Sequence, residues 1–255
     1  MNIFLPLSIL ALVSLSPNAR AGFFEWSSTE LQYLHGDGYK VPGGNDIGQS
    51  IITFSHADGW AYGRNFLFMD TLMSDSGQPG QTNVYGEAYS YLSLSKLTGK
   101  DLSVSIVKDI NATLGVNAGE NFDSAQSGTR IFLYGVTVDF ELPGFKLFTL
   151  DFLSHDVLEP VALGPSLQIT PVWKLPFTFA GLKWSFEGFA DFIASKNSHV
   201  TDNLLAQPQL RLDIGDFWGQ TGQFYVGMEY QYWHNKYGIK GLNEGLPQAL
   251  VVVSF

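Results

Sequence analysis

The residues best able to do chemistry in this chain recur at every second position. Tyr85, Glu87, Tyr89 and Tyr91 follow one another at that spacing, as do Glu187, Phe189 and Asp191. Arg64, Phe66, Phe68 and Asp70 repeat it, and Glu229 is in phase with Tyr225 and Trp233. Successive side chains of a strand point to opposite faces, so each set would share one face. An aromatic face can stack a flat ring at about 1–3 kcal/mol. Carboxylates and amides beside it can bond hydroxyls and ring edges. This is the chemistry of weak, reversible holding, which suits a solute that must leave as easily as it enters.

Bond-breaking chemistry has less support. The chain has 5 histidines, His35, His56, His155, His199 and His234, and no cysteine, which excludes a disulfide scaffold and a Cys-based zinc site. His155-Asp156, at the start of an expected loop, is a pair able in principle to activate water. Adjacent residues on a strand point apart, so an extended His155-Asp156 would not cooperate. No Gly-x-Ser-x-Gly, His-Glu-x-x-His or phosphate loop occurs. No catalytic residue, metal or cofactor is expected.

The elements that would position these residues are strands. Only 15% of the residues are charged, against about 25% in a typical soluble domain. Hydrophobic content is 45%, consistent with a large surface that does not face water. Residues 1–21 carry a short apolar core, Ile3 to Leu15, and small residues at Ala19-Arg20-Ala21. They read as a cleaved export signal, followed by one domain over 22–255. Beyond them no apolar run reaches roughly 18 residues, so no helical span is expected. The net charge of −10 excludes a nucleic-acid partner and disfavours polyanionic solutes.

Period-two alternation marks twelve candidate strands, near 26–34, 49–56, 60–70, 83–95, 102–116, 130–141, 146–154, 166–173, 178–194, 204–213, 223–233 and 247–255. Many reach the length at which a tilted strand crosses a bilayer. Short connections are expected at Asp58-Gly59, Thr98-Gly99-Lys100, Pro143-Gly144 and Leu175-Pro176. Long ones are expected near 36–48, 71–82, 117–128, 155–165, 195–203 and 234–246, with a medium one at 214–222. The last strand, ending on Phe255, suits one that closes a barrel and removes its open edge. The fold expected is therefore an all-β transmembrane antiparallel barrel of about twelve strands in a bacterial outer membrane.

Charge on a lipid-facing wall costs roughly 2–4 kcal/mol near the midplane, so charged residues should point inward. That assigns Glu87, Asp109, Asp139, Glu141, Asp151, Lys183, Glu187, Asp191, Arg211, Asp213 and Glu229 to the lumen. Lys108 beside Asp109 requires a bulge, a rim position or a lipid contact. Trp184, Tyr134, Tyr230 and Tyr232 fall on the opposite face and read as an interfacial belt.

Several segments resemble a known family. They are Trp26-Ser27 with Leu31-Gln32-Tyr33-Leu34, Tyr85-Gly86-Glu87, Pro143-Gly144-Phe145, Gln168-Ile169-Thr170 with Trp173, Phe186-Glu187-Gly188-Phe189-Ala190-Asp191, Gln207-Pro208-Gln209 and Tyr225-Val226-Gly227. Together with Phe255 they resemble the nucleoside-specific channel-forming outer-membrane proteins, the Tsx-like family, which includes OmpK-type phage receptors. The resemblance implies a monomeric twelve-stranded barrel with a narrow pore, passing nucleosides, with phage as a partner at the outer loops. On that expectation the solute-holding residues are Arg64, Phe66, Asp70, Tyr85, Glu87, Tyr89, Asp109, Glu187, Phe189, Asp191, Arg211, Glu229 and Trp233. The alternatives for the same residues are ion pairs that brace the lumen and rings that merely fill it. The corresponding alternative for the protein is a structural or receptor barrel with little transport.

Overall fold

The computed structural model describes residues 24–75, 82–121, 128–196 and 200–255. The expected export segment 1–21 lies outside them, as do parts of the expected loops 71–82, 117–128 and 195–203. The described residues form a 13-stranded antiparallel sheet. Its strands are β1 (Phe24–Tyr39), β2 (Ile47–Trp60), β3 (Gly63–Ser74), β4 (Thr82–Ser93), β5 (Val107–Asn121), β6 (Thr129–Phe140) and β7 (Leu147–Glu159). They continue with β8 (Gly164–Phe179), β9 (Leu182–Ile193), β10 (Asn203–Ala206), β11 (Gln209–Asp213), β12 (Phe224–His234) and β13 (Glu244–Ser254). β10 and β11 share one position between β9 and β12, and β13 pairs with β1 from Glu30↔Ser254 to Gly36↔Gln248. The sheet is thus a closed barrel of twelve strand positions with no free edge.

The alternation in sequence becomes an inside and an outside. Along β13, Glu244, Leu246, Gln248, Leu250 and Val252 are buried while Gly245, Pro247, Ala249 and Val251 are exposed. Leu114, Val116, Phe132, Tyr134, Val136, Met228, Tyr230 and Tyr232 are exposed on the outer face. An apolar exterior around a polar interior inverts the soluble pattern. The closed ladder beneath it satisfies the separate requirement that, in lipid, backbone N–H and C=O groups be paired inside the protein. One part of the interior is apolar: Leu34, Tyr39, Ile47, Ile51, Leu246, Leu250 and Val252, contributed by β1, β2 and β13 and the end of β1, pack as a buried cluster.

Several boundaries differ from those expected. The β2–β3 turn falls at Ala61-Tyr62, not Asp58-Gly59, because Asp58 pairs across the ladder with Asn65 and accepts from its amide at 3.0 Å. The β8–β9 turn falls at Ala180-Gly181, not Leu175-Pro176. Both turn residues have positive φ, 52° and 77°, as a two-residue hairpin turn demands. The strand expected from residue 102 begins at Val107. Before it, Val104 and Val107 exchange backbone hydrogen bonds at 2.9 Å around Ser105, whose φ is 56°. The alternation of Leu102-Ser103-Val104-Ser105-Ile106 therefore belongs to a tight turn. A helix, α1 (Leu94–Thr98), caps the end of β4, with the Ser93 hydroxyl accepting from the Lys96 amide. The expected long loops are shorter, because β1, β3, β5 and β7 run on to Tyr39, Ser74, Asn121 and Glu159. The contrast between short turns and long loops is correspondingly weaker than expected. Lys108 does sit at a register shift, between Val107 and Asp109 at the rim.

The strand expected at 204–213 is interrupted, as Pro208 cannot donate to the ladder. Pro171 leaves a second gap between Ile169↔Phe192 and Val172↔Phe189. Between them on β9 lies Gly188, with φ of 148°, where a Cβ would stand 2.4 Å from the Gln207 carbonyl oxygen. Only glycine allows both that backbone angle and that approach.

Candidate functional site

The inward faces of the strands enclose a cavity of about 510 Å³. It opens among side chains from β1 to β4, from β7 to β9 and from β11 and β12. Of the expected site residues, Arg64, Phe66, Asp70, Glu87, Tyr89, Glu187, Phe189, Asp191, Arg211 and Glu229 line it.

One part of the wall is charge-balanced. The Arg211 guanidinium donates to Glu30 at 3.0 Å and to the Gln209 amide oxygen at 2.6 Å, and lies 3.4 Å from Glu187. Lys174 pairs with Glu187 at 3.0 Å and approaches Glu30 at 3.9 Å. Lys174 is on β8 and Glu30 on β1, far apart around the ring, so these contacts span the interior. Glutamines continue the network. Glu229 accepts from Gln207 at 3.1 Å, Gln209 at 2.6 Å and Gln248 at 2.8 Å. A second brace joins β3 to β6, where Arg64 binds Asp139 through two bonds of 2.6 and 2.7 Å over the Tyr91 ring.

Elsewhere the carboxylates have polar neighbours and, among the described residues, no ion-pair partner. Glu87 accepts from Tyr85 at 2.5 Å, Tyr89 at 2.8 Å and Asn117 at 3.0 Å. Asp70 accepts from Thr53 at 2.6 Å, and Asp191 from Thr170 at 2.5 Å and Gln168 at 3.2 Å. One oxygen of Asp151 has no hydrogen-bond partner among the described residues, although the residue is only 3% exposed. The β4 rings are seated by glycines of β5. A Cβ at Gly115 would lie 2.6 Å from the Tyr89 ring, and one at Gly119 would lie 3.1 Å from Tyr85. A side chain at Gly115 would drive Tyr89 off the wall and loosen its hold on Glu87.

Three expected residues do not line the cavity. Tyr85 points inward and reaches it only through Glu87. Asp109 sits at the bulge that begins β5 and accepts from the hydroxyls of Ser93 and Ser95 and from the Ile110 amide, so it braces α1. Trp233 lies at the loop end of β12, edge-on to Tyr237 at 4.7 Å and 5.1 Å from the Lys236 ammonium. Two further charges assigned to the lumen also fall elsewhere. Glu141 lies past the end of β6. Lys183 is exposed at the rim, where it binds Asp216 at 2.7 Å and, with Thr221, holds that carboxyl below its ordinary range. His155 is buried and inward while Asp156 belongs to the opposite phase, so they do not act as a pair.

The lining also includes Trp26, Glu30, Gln32, Trp173 and Lys174, which sequence reasoning had not placed there, and Gln207 and Gln209, which are in phase with Arg211. Glu30 and Gln32 were readable from phase, being in register with Ser28 and Leu34. Lys174 was not, because β8 was expected to end at residue 173.

A family model described as "nucleoside-specific channel-forming protein, Tsx" matches residues 58–249. No curated protein matches this chain. Among solved structures, the KdgM porin in complex with disordered oligogalacturonate is similar at 9% identity and a TM-score of 0.50, covering 89% of this chain and 99% of that one. The translocator domain of the autotransporter NalP from Neisseria meningitidis is 11% identical at a TM-score of 0.45, covering 90% and 88%. At such identities the likeness concerns fold alone.

Proposed function

Because the chain belongs to the nucleoside-specific channel-forming family, and is therefore a bacterial outer-membrane channel for small solutes, we propose that nucleosides are the solutes it passes. The observation that carries this reading is the meeting of flat rings and hydrogen-bonding groups in one cavity. Phe66, Tyr89 and Phe189 line the same space as Asp70, Glu87, Asp191 and Gln207. A nucleoside has a π-face for the rings and a ribose whose hydroxyls can donate to the carboxylates. Several weak contacts in series let it enter and leave.

In this reading residues 1–21 are removed on export, the barrel is a monomer in outer-membrane lipid, and phage dock on its outer loops. The residues at the site hold solute and do not transform it. Purified protein in planar bilayers tests the proposal. Adenosine should permeate and reduce the salt conductance. Removing one stacking ring, in Phe189→Ala, should raise the half-blocking concentration about tenfold, the effect of losing one base contact. A barrel that conducts salt but neither passes nor is blocked by adenosine refutes the nucleoside assignment. A barrel without conductance favours a structural or receptor role.

A further inference from the structure

Three of the four Lys and Arg side chains that line the cavity are committed to particular acids. Arg211 and Lys174 serve Glu30 and Glu187, and Arg64 serves Asp139. Lys146 enters the lining from the connection between β6 and β7. Asp70, Glu87, Asp151 and Asp191 face the same cavity and form no ion pair among the described residues. Glu87 lies within electrostatic range of both Asp70 and Asp191, and Asp191 within range of Asp151, which alone of the four also feels the Arg64 guanidinium that binds Asp139. The hydroxyls and amides that bond these acids supply no positive charge. The free oxygen of the nearly buried Asp151 is a further acceptor without a donor. Phe68 and Phe189 line the same cavity.

We propose that these four carboxylates and two rings form a site for small organic cations, in which an ammonium sits among the acids and its apolar body lies on the rings. Such a site makes the channel cation-selective. Uncompensated acids in a low-dielectric wall concentrate cations and exclude anions, and a ring face adds attraction for a desolvated ammonium. The ligand class is a primary amine on a short aromatic or aliphatic body. This goes beyond nucleoside passage and does not rest on it.

The test uses the full barrel in planar bilayers under a potassium chloride gradient. The reversal potential should report potassium permeability about fivefold or more above chloride. Phenethylammonium should slow the potassium current at a concentration about tenfold below that of its neutral counterpart, 2-phenylethanol. The double variant Asp151→Asn/Asp191→Asn should lose most of both effects, while Glu141→Gln, altered outside the lumen, keeps them. Equal permeability for the two ions, or equal block by amine and alcohol, overturns the proposal on the unaltered protein alone. So does a loss of selectivity in Glu141→Gln as large as in the double variant. Adenosine block, read in the same bilayers, reports on the nucleoside assignment separately.

Discussion

Replacing Arg211 by methionine tests the charge-balanced part of the wall. The side chain is 4% exposed, and its partners Glu30 and Glu187 are 14% and 13% exposed. Removing the guanidinium leaves two nearly buried carboxylates for one cation, Lys174, at 3.9 and 3.0 Å. Breaking one side of a buried ion pair costs about 3–5 kcal/mol, because the remaining charge is desolvated without compensation. Lys174 already carries part of that compensation, so the expected loss for Arg211→Met is about 3 kcal/mol, at the low end of that range. Adding Glu187→Gln restores one acid to one cation. The double variant should therefore be more stable than Arg211→Met alone, recovering roughly half of the loss. Urea unfolding in lipid vesicles, followed by tryptophan fluorescence, reads both quantities. An Arg211→Met barrel within about 1 kcal/mol of the parent would show that the quartet is not a buried network. A double variant no more stable than the single one would refute the charge-balance argument.

Two further perturbations probe the outer wall and the loop end. Leu114 is exposed on the outer face, and Leu114→Arg should cost about 2–4 kcal/mol in the same vesicle assay; no change would mean that this position does not face lipid. Glu244, fully buried, receives Lys236 at 2.6 Å, and burial holds the lysine below its ordinary pKa of 10.5 while Glu244 opposes the shift. A lysine so lowered costs stability while it is charged, and the cost is relieved as pH rises through the lowered value toward 10.5. Glu244→Gln should thus destabilise at neutral pH by about 3–5 kcal/mol and regain stability on the alkaline side. Urea midpoints across that range check this, and a profile parallel to the parent's would refute it.

Much of the barrel was legible because its inside and outside are written at period two, and lipid tolerates few exceptions to that rule. β4, β6 and β12 show this most plainly, with Glu87, Thr137 and Glu229 inward and Ala88, Tyr134 and Met228 outward. Strand ends were less legible. Asp58-Gly59 has the composition of a turn, but Asp58 gains a cross-strand partner in Asn65 that keeps it in the ladder. Residues 102–106 alternate like a strand, yet they close on themselves through Val104 and Val107. The candidate site was legible in phase but not in depth. Phase assigned Glu87, Phe189 and Asp191 to the inner face, but it could not separate Tyr85 or Trp233, which point inward away from the cavity. Which acid finds which base was also hidden, since Arg211 and Glu30 stand 181 positions apart.

One proline of the wall has a mechanical consequence. A tube laced by hydrogen bonds is stiff around its circumference, and its softest generator is the line along which the lacing is missing. Pro171 removes a donor from the β8–β9 ladder, whose pairing lapses between Ile169↔Phe192 and Val172↔Phe189, and Gly188 beside that lapse carries no side chain to stiffen it. Deformation of the cross-section toward an ellipse should concentrate there, with the remaining wall turning as a rigid shell. Asp191 is borne on that seam, so the separation between it and Glu87 on the distant β4 becomes the dimension of the pore that yields first.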